Sequence, residues 1–240
     1  TPLTAVRALI EALDDGVVTD PETVQRYQRT IRADMRHLSG LMDDLFELSR
    51  MESGALTLSR ERMALEDVLS DALEGAHTMA DLAGIHLDGQ VDAALPEAEV
   101  DVRQLHRVLI NLIQNALRHT PPGGRVLLRA EPHDRKNERC VLVQILDTGE
   151  GISPLDMPHV FAPTYRSEAS RRRADADATG FAGVGAGLGL AIARGIIEAH
   201  GGQIWATSPL SPEQRRLVTD GDHDTLLSGT ALSFTLPAAR

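Results

Sequence analysis

Aromatic residues supply only 3% of the 240 positions, so any core must be built from aliphatic side chains. Apolar residues reach 42%, which is enough to bury one large domain or two small ones. A single cysteine, Cys140, excludes a disulfide framework and a cysteine-rich metal centre. It lies in the apolar run Cys140-Val-Leu-Val-Gln-Ile-Leu and reads as core. Positive charge is scarce: 24 Lys and Arg stand against 35 Asp and Glu, a formal charge of −11. Such a surface repels phosphate backbones, so nucleic acid is not an expected partner. No apolar run is as long as a membrane span, and no signal peptide is visible. The chain opens on Thr1-Pro2-Leu3-Thr4, which reads like the interior of a longer protein, so the lack of a span says little about the parent.

What is present divides in two. Val6, Leu9, Ile10 and Leu13 give the first residues an apolar helical side, and Asp14-Asp15-Gly16 ends that helix. Asp20-Pro21-Glu22 reads as an N-cap with proline at the first helical position. The helix that follows is expected to run from about Pro21 to Met51, with Val24, Ile31, Leu38 and Leu45 recurring every seven residues. Met35, Leu41, Met42 and Leu48 widen that stripe. A heptad stripe on so long a helix needs a partner, and the expected solution is an antiparallel hairpin that dimerises into a four-helix bundle. Packing onto a globular domain of the same chain is the alternative.

Ser53-Gly54 breaks the helix, and Ala55 to Arg62 alternates like a short strand or linker. Helices are then expected at Leu65–Leu82, Val102–His119 and Leu188–His200. Strands are expected at Ile85–Val91, Arg125–Ala130, Cys140–Leu146, Gln203–Thr207 and Ala231–Leu236. This mixture predicts an α+β chain: the hairpin, then a two-layer α/β sandwich with a mixed sheet. The expected division is a hairpin at 1–53, a linker at 54–64 and an α/β domain at 65–240. Ser167–Thr179 and Pro209–Ser228 are polar and read as a mobile loop and a solvated loop.

Four blocks carry chemistry. In Asn111-Leu-Ile-Gln-Asn115-Ala-Leu-Arg118, the two carboxamides and the cation share one helix face. Amide oxygens are neutral hard ligands for Mg²⁺, and arginine pairs with phosphate oxygens. By itself this block fits a solvated polar face equally well. Asp147-Thr-Gly149-Glu-Gly151-Ile152 follows an apolar strand, where a carboxylate can accept a hydrogen bond from an exocyclic amine such as adenine presents. An ordinary Asp-Gly turn is the bland alternative. Gly183-Val-Gly185-Ala-Gly187-Leu188-Gly189-Leu190 runs straight into a helix, a place where backbone N–H groups converge on anions. No Gly-Lys-Ser/Thr follows, so it is not a P-loop. Phe161-Ala-Pro-Thr-Tyr165-Arg166 lies between these two glycine segments and places an aromatic beside a cation. Gly229-Thr230 precedes the last strand and reads by default as a turn.

In this order the blocks resemble the N, G1, F and G2 boxes of the histidine-kinase ATP-binding domain, which has the Bergerat fold of Hsp90, the gyrase B subunit and MutL. Thr1-Pro2-Leu3-Thr4 and the hairpin resemble the dimerisation and histidine-phosphotransfer domain. The resemblance implies ATP and Mg²⁺ as ligands. Asn115 would be the main metal ligand with Asn111 beside it, Arg118 would touch phosphate and Arg166 would assist phosphoryl transfer. Asp147, with Gly149, Gly151 and Ile152, would shape the adenine pocket. Tyr165 would anchor a lid over ATP, Gly185, Gly187, Leu188, Gly189 and Leu190 would close over the triphosphate, and Thr230 would complete the pocket. The implied partners are a homodimer mate through 1–53 and a response-regulator receiver domain. The implied address is the cytoplasmic face of the plasma membrane, with membrane contact only through upstream segments.

Two departures stand out. Thr164 occupies a position where phenylalanine is usual, and an Arg- and Ala-rich stretch extends the lid, 167–184. The family's acceptor histidine lies five residues before the proline matching Pro2, upstream of Thr1, while Thr1 itself matches the family's phosphatase position. The nine histidines present lack that context and read as structural or solvated. A Bergerat-fold ATPase and a non-catalytic nucleotide-sensing scaffold are the rival readings.

Overall fold

The computed structural model describes residues 2–135, 138–166, 187–219 and 228–239. Helix α1, Pro2–Asp14, turns at Gly16 into α2, Pro21–Glu52. The Asp20 side chain caps α2 by accepting from the Thr23 N–H at 2.9 Å. Pro21 at the first helical position has no N–H to leave orphaned. Among the described side chains of the hairpin, only Val6 is fully buried.

After the hairpin come β1 (Glu61–Met63), α3 (Leu65–Ala83), β2 (His86–Val91), β3 (Ala98–Val100) and α4 (Val102–His119). The chain continues through β4 (Arg125–Arg135), β5 (Glu138–Asp147) and a single 3₁₀ turn at Met157–His159. It ends with α5 (Gly189–Ala199), β6 (Gln203–Thr207), α6 (Pro212–Val218) and β7 (Thr230–Pro237). The main sheet has the order β2-β4-β5-β7-β6, with β2 parallel to β4 and the other pairs antiparallel. β1 and β3 form a separate antiparallel pair. Helices α3, α4 and α5 cover one face of the sheet. Their side chains share one aliphatic core with Val126, Leu128, Val143, Ile145, Leu232 and Phe234. The expected sandwich with a mixed sheet is the fold observed, and no described helix is long and apolar enough to cross a membrane.

Strand alternation places Leu127, Leu146 and Ala231 on the opposite face, where Leu210 and Val218 cover them. This corrects the expectation of a solvated loop at 209–228 for residues 209–219, while 220–227 lie outside the described residues. Ser211 accepts from the Gln214 N–H while the Gln214 side chain accepts from the Ser211 N–H, a capping box that starts α6 with Pro212 at its first position. Strands β1 and β3 are three residues each, below the length at which alternation is visible in sequence. Strand β4 reaches Arg135, five residues past its expected end, because β5 pairs with it throughout.

The α3–α4 side is tied to the chain before it through Asp101 and His200. Asp101 caps α4 by accepting from the Gln104 N–H at 3.2 Å, and its other oxygen accepts from the Ser59 N–H at 3.0 Å. The Asp101 N–H donates to Nε2 of the buried His200 at 2.9 Å, while Nδ1 faces the Ile196 carbonyl at 2.8 Å. These partners fix a neutral imidazole protonated on Nδ1. Burial pushes the His200 pKa down, in the same direction.

Helix α2 uses two faces. Asp44, Glu47, Leu48 and Met51 turn towards the α/β layer. Arg107 on α4 pairs with Asp44 at 2.6 Å and with Glu47 at 3.3 Å, and Gln104 donates to Glu47 at 3.1 Å. Leu48 and Met51 pack against the aliphatic core. Gly195 on α5 makes room there, since a Cβ would lie 2.5 Å from the Met51 sulfur. Met35, Met42, Leu45 and Phe46 point elsewhere and are exposed, Leu45 by 62% and Phe46 by 68%.

Candidate nucleotide site

The candidate site lies where α4, the end of β5 and the start of α5 meet. Helix α4 has buried Leu105, Leu109, Leu112 and Ala116 on one side, which leaves Asn111, Asn115 and Arg118 on the other. Asn111 and Asn115 are half-buried, and the Asn111 amide donates to the Gly189 carbonyl at 3.2 Å. That bond joins the asparagine face to the first turn of α5. Leu188 is buried beneath this turn and Leu190 is half-buried. Arg118 is exposed at the end of the stripe. Its pKa is lowered first by partial desolvation and then by the neighbouring charge of Arg166, so two guanidinium groups face one region.

Strand β5 delivers Asp147 to the floor of the site, between Val126 on β4 and Thr230 on β7. The carboxylate is 2% exposed and accepts from the Gly149 N–H at 2.9 Å. The Thr230 backbone also donates to it. Burial pushes its pKa up from 3.8 to about 7; the Gly149 and Thr230 donors oppose that shift and the nearby Glu150 adds to it. A carboxylate held dry at a strand end, with its charge only partly stabilised, is poised to accept a hydrogen bond from a ligand.

The glycine of this turn has a steric reason. A Cβ at Gly149 would lie 2.3 Å from the His119 carbonyl at the end of α4 and 2.7 Å from the Asp147 carboxylate, so only glycine allows helix and turn to meet. His119 and Glu150 add a 3.0 Å contact across the same junction. Ile152 is half-buried, and its N–H donates to the Ser208 hydroxyl at 2.9 Å. Thr230 is buried at the start of β7.

The Phe161–Arg166 block meets the glycine segment directly. The Thr164 N–H donates to the Gly187 carbonyl at 3.1 Å. Gly187 has φ 73°, and a Cβ there would lie 2.7 Å from the Tyr165 carbonyl. Thr164 itself has φ 62°, a strained conformation for a β-branched residue. The Tyr165 hydroxyl donates to Asp156 at 2.5 Å, and its ring lies 5.4 Å from that of His159. An open hollow is lined by Ala162, Pro163, Thr164, Tyr165 and Arg166.

The structure therefore brings together Asn111, Asn115, Arg118, Arg166, Asp147, Gly149, Gly151, Ile152, Tyr165, Gly187, Leu188, Gly189, Leu190 and Thr230 around one end of the sheet. Thr1, Gly185 and the lid stretch 167–184 lie outside the described residues. Sequence reasoning missed the Arg107 clamp and Ser208. Neither falls in a motif, and their partners lie tens of residues away.

Comparison with known proteins places this geometry. The model for histidine kinase-, DNA gyrase B- and HSP90-like ATPases matches residues 100–240, more than half of the chain. The chain belongs to that family. Within it the likeness is to two-component sensor histidine kinases, because the His kinase A (phospho-acceptor) domain matches residues 1–54. The Non-motile and phage-resistance protein of Caulobacter vibrioides is 32% identical over 241 residues, covering 99% of this chain and 25% of that protein. Sensor histidine kinase WalK of Bacillus subtilis is 29% identical over 237 residues, covering 99% of this chain and 34% of that protein. The chain thus spans a quarter to a third of these relatives. Among solved structures, the histidine kinase AdeS of Acinetobacter baumannii superposes with TM-score 0.71 at 22% identity, covering 100% of this chain and 96% of that one. ShkA in complex with AMPPNP gives 0.68 at 24%, covering 100% and 44%. The histidine kinase ThkA in complex with the response regulator protein TrrA gives 0.65 at 22%, covering 100% and 58%. At these identities the superpositions speak to the fold.

Proposed function

We propose that this chain is the catalytic core of a sensor histidine kinase, which binds ATP with Mg²⁺ and directs its γ-phosphoryl group to a histidine upstream of Thr1. The observation that carries the reading is one convergence: the Asn111–Asn115–Arg118 face, buried Asp147 and the turn into α5 meet at one end of the sheet, joined by the Asn111–Gly189 bond. The described residues hold no cluster of three His, Cys, Asp or Glu side chains that would bind a metal unaided. A hard cation here would take neutral oxygen from Asn115, with Asn111 beside it, and share phosphate oxygens, the donor set Mg²⁺ accepts. Bound Mg²⁺ would supply charge neutralisation on the triphosphate. Arg118 and Arg166 crowd each other's charge, and an anion between them relieves that repulsion. Asp147 would accept the adenine amine, and the backbone at Gly187–Gly189 would face phosphate, with Gly185 assigned to the same role. Such a site works by positioning and electrostatic stabilisation.

The proposed division is a hairpin at 1–53, a linker at 54–64 and the ATP-binding domain at 65–240. The hairpin forms a homodimer, and the phosphoryl group passes on to an aspartate of a receiver domain. Thr1 would support dephosphorylation of that regulator. The parent protein would hold this core at the cytoplasmic face of the plasma membrane through upstream segments. The test compares this chain with a form extended upstream, each incubated with γ-labelled ATP and Mg²⁺ and assayed for acid-labile, base-stable phosphoprotein. Label on the extended form alone is expected. Steady ATP turnover with no phosphoprotein on either form replaces this reading with that of an ATPase.

A further inference from the structure

Three turns converge behind Asp147, and one side chain ties them. The Ser208 hydroxyl, on the segment that leaves β6, accepts from the Ile152 N–H at 2.9 Å and donates to the Gly229 carbonyl at 2.8 Å. It thereby bridges the turn after β5 to the turn before β7. Two backbone bonds complete the knot: the Gly229 N–H donates to the Gly149 carbonyl at 3.0 Å, and the Leu210 N–H to the Ser228 carbonyl at 3.1 Å. The two donors that hold the Asp147 carboxylate, Gly149 and Thr230, sit one on each of the turns so bridged. Space at the junction is small, since a Cβ on Gly151 would lie 2.8 Å from the Ser208 hydroxyl oxygen.

A hydroxyl donates one hydrogen bond and accepts others, which is what this junction asks of a single atom. Alanine supplies neither function, and a cysteine thiol supplies both weakly. Without the bridge, the Gly149 and Thr230 turns keep only the Gly229–Gly149 backbone bond and the end of the β5–β7 ladder, and the carboxylate between them loses part of its fixed direction. We propose that Ser208 is a positioning residue for base recognition: it holds the two turns at the spacing that aims Asp147 at the exocyclic amine of adenine. This rests on the ATP-binding reading above.

The experiment titrates the whole chain with ATP and with ITP, each with Mg²⁺, by calorimetry. ITP carries a keto oxygen where adenine carries the amine, and an N1–H where adenine has a bare ring nitrogen, so the ratio of the two affinities reads recognition of that edge of the base, where Asp147 is placed. The parent chain is expected to prefer ATP. Ser208→Ala should weaken ATP about tenfold, the scale of one lost hydrogen bond that orders a polar group, while ITP changes by about twofold or less. Ser208→Thr, which keeps the hydroxyl, should retain the preference. Where circular dichroism shows Ser208→Ala unfolded, Ser208→Cys replaces it, with the same narrowing of the ratio expected. A Ser208→Ala or Ser208→Cys variant that folds and keeps the parental preference overturns the proposal. Equal loss of ATP and ITP also overturns it, because it assigns Ser208 a merely structural role. A parent chain with no preference for ATP over ITP overturns the nucleotide reading together with this one.

Discussion

The hairpin and the α/β layer solve the burial problem in opposite ways. The α/β layer is complete in one copy: two faces of its sheet are covered, and Leu105, Leu109, Leu112, Ile113, Ile192 and Phe234 lose contact with solvent. The hairpin has one fully buried described residue, Val6, and leaves Met42, Leu45 and Phe46 more than half exposed. Both regions have strong apolar patterning, so patterning alone does not separate a finished core from a surface awaiting a partner. The side of α2 away from the exposed methionines separates them, because Asp44, Glu47 and Met51 already engage α4 and α5.

The sharpest break falls within the α/β layer. Asn115→Asp or Asp147→Asn should reduce ATP affinity about a hundredfold or more, by adding a charge beside phosphate or removing the amine's acceptor. Calorimetry reads the loss. Melting at pH 8 should show Asp147→Asn no less stable than the parent, since burial then penalises no ionised group. Unchanged affinity removes the role of the residue concerned.

Next comes the hairpin. Leu45→Asp or Phe46→Asp should weaken self-association about thirtyfold per site, from about 2 kcal/mol for one apolar side chain buried on dimerisation. Sedimentation measures it, and ATP affinity should stay at the parental value. An unchanged dimer would show that this face serves another purpose.

The pH dependence set by Asp147 belongs to the α/β layer and has a worked sign. Asp147 rises from 3.8 to about 7 on folding, so ATP, which needs the carboxylate, should bind with constant affinity above pH 8 and lose up to about tenfold per unit below pH 7. Stability of the unliganded protein runs the other way: the contribution of Asp147 is full below its unfolded pKa and is lost as pH rises through about 7. Titrations between pH 6 and pH 8.5 check the first statement, and melts from pH 4 to pH 8.5 check the second.

The smallest effect joins the two regions. Arg107→Ala removes a partly exposed clamp, with side chains 26%, 29% and 12% accessible, and should cost about 1 kcal/mol or less. Faster hydrogen exchange in the second half of α2, with parental ATP affinity, is the expected signature.

Legibility followed the range of the interactions. Helix α4 could be read because its cap, its buried stripe and its polar face all lie within 19 consecutive residues. The strands that supply Asp147 and Thr230 could be read from the largely apolar run Cys140–Leu146 and the alternating run Ala231–Leu236. Helix α6 was overlooked although Ser211-Pro-Glu-Gln214 is a cap signal, because its seven residues are too short for periodicity to show. The Arg107–Asp44 pair spans 63 positions, and Ser208 contacts a residue 56 positions away, so only the folded chain brings them together. Gly149 was readable as a turn residue, but its steric partner, the His119 carbonyl, was not.

Trp205, the one tryptophan in the chain, sits on the edge strand β6 opposite Ser233, with 38% of its surface open. Its place gives the protein a built-in optical reporter with a narrow field of view. Emission from this indole should follow melting of the sheet and remain silent when two hairpins part. Circular dichroism sums the helices of both regions, α1 and α2 with α3 to α6. A loss of helical signal that precedes the change in indole emission would therefore report the hairpin melting before the sheet, with no label added.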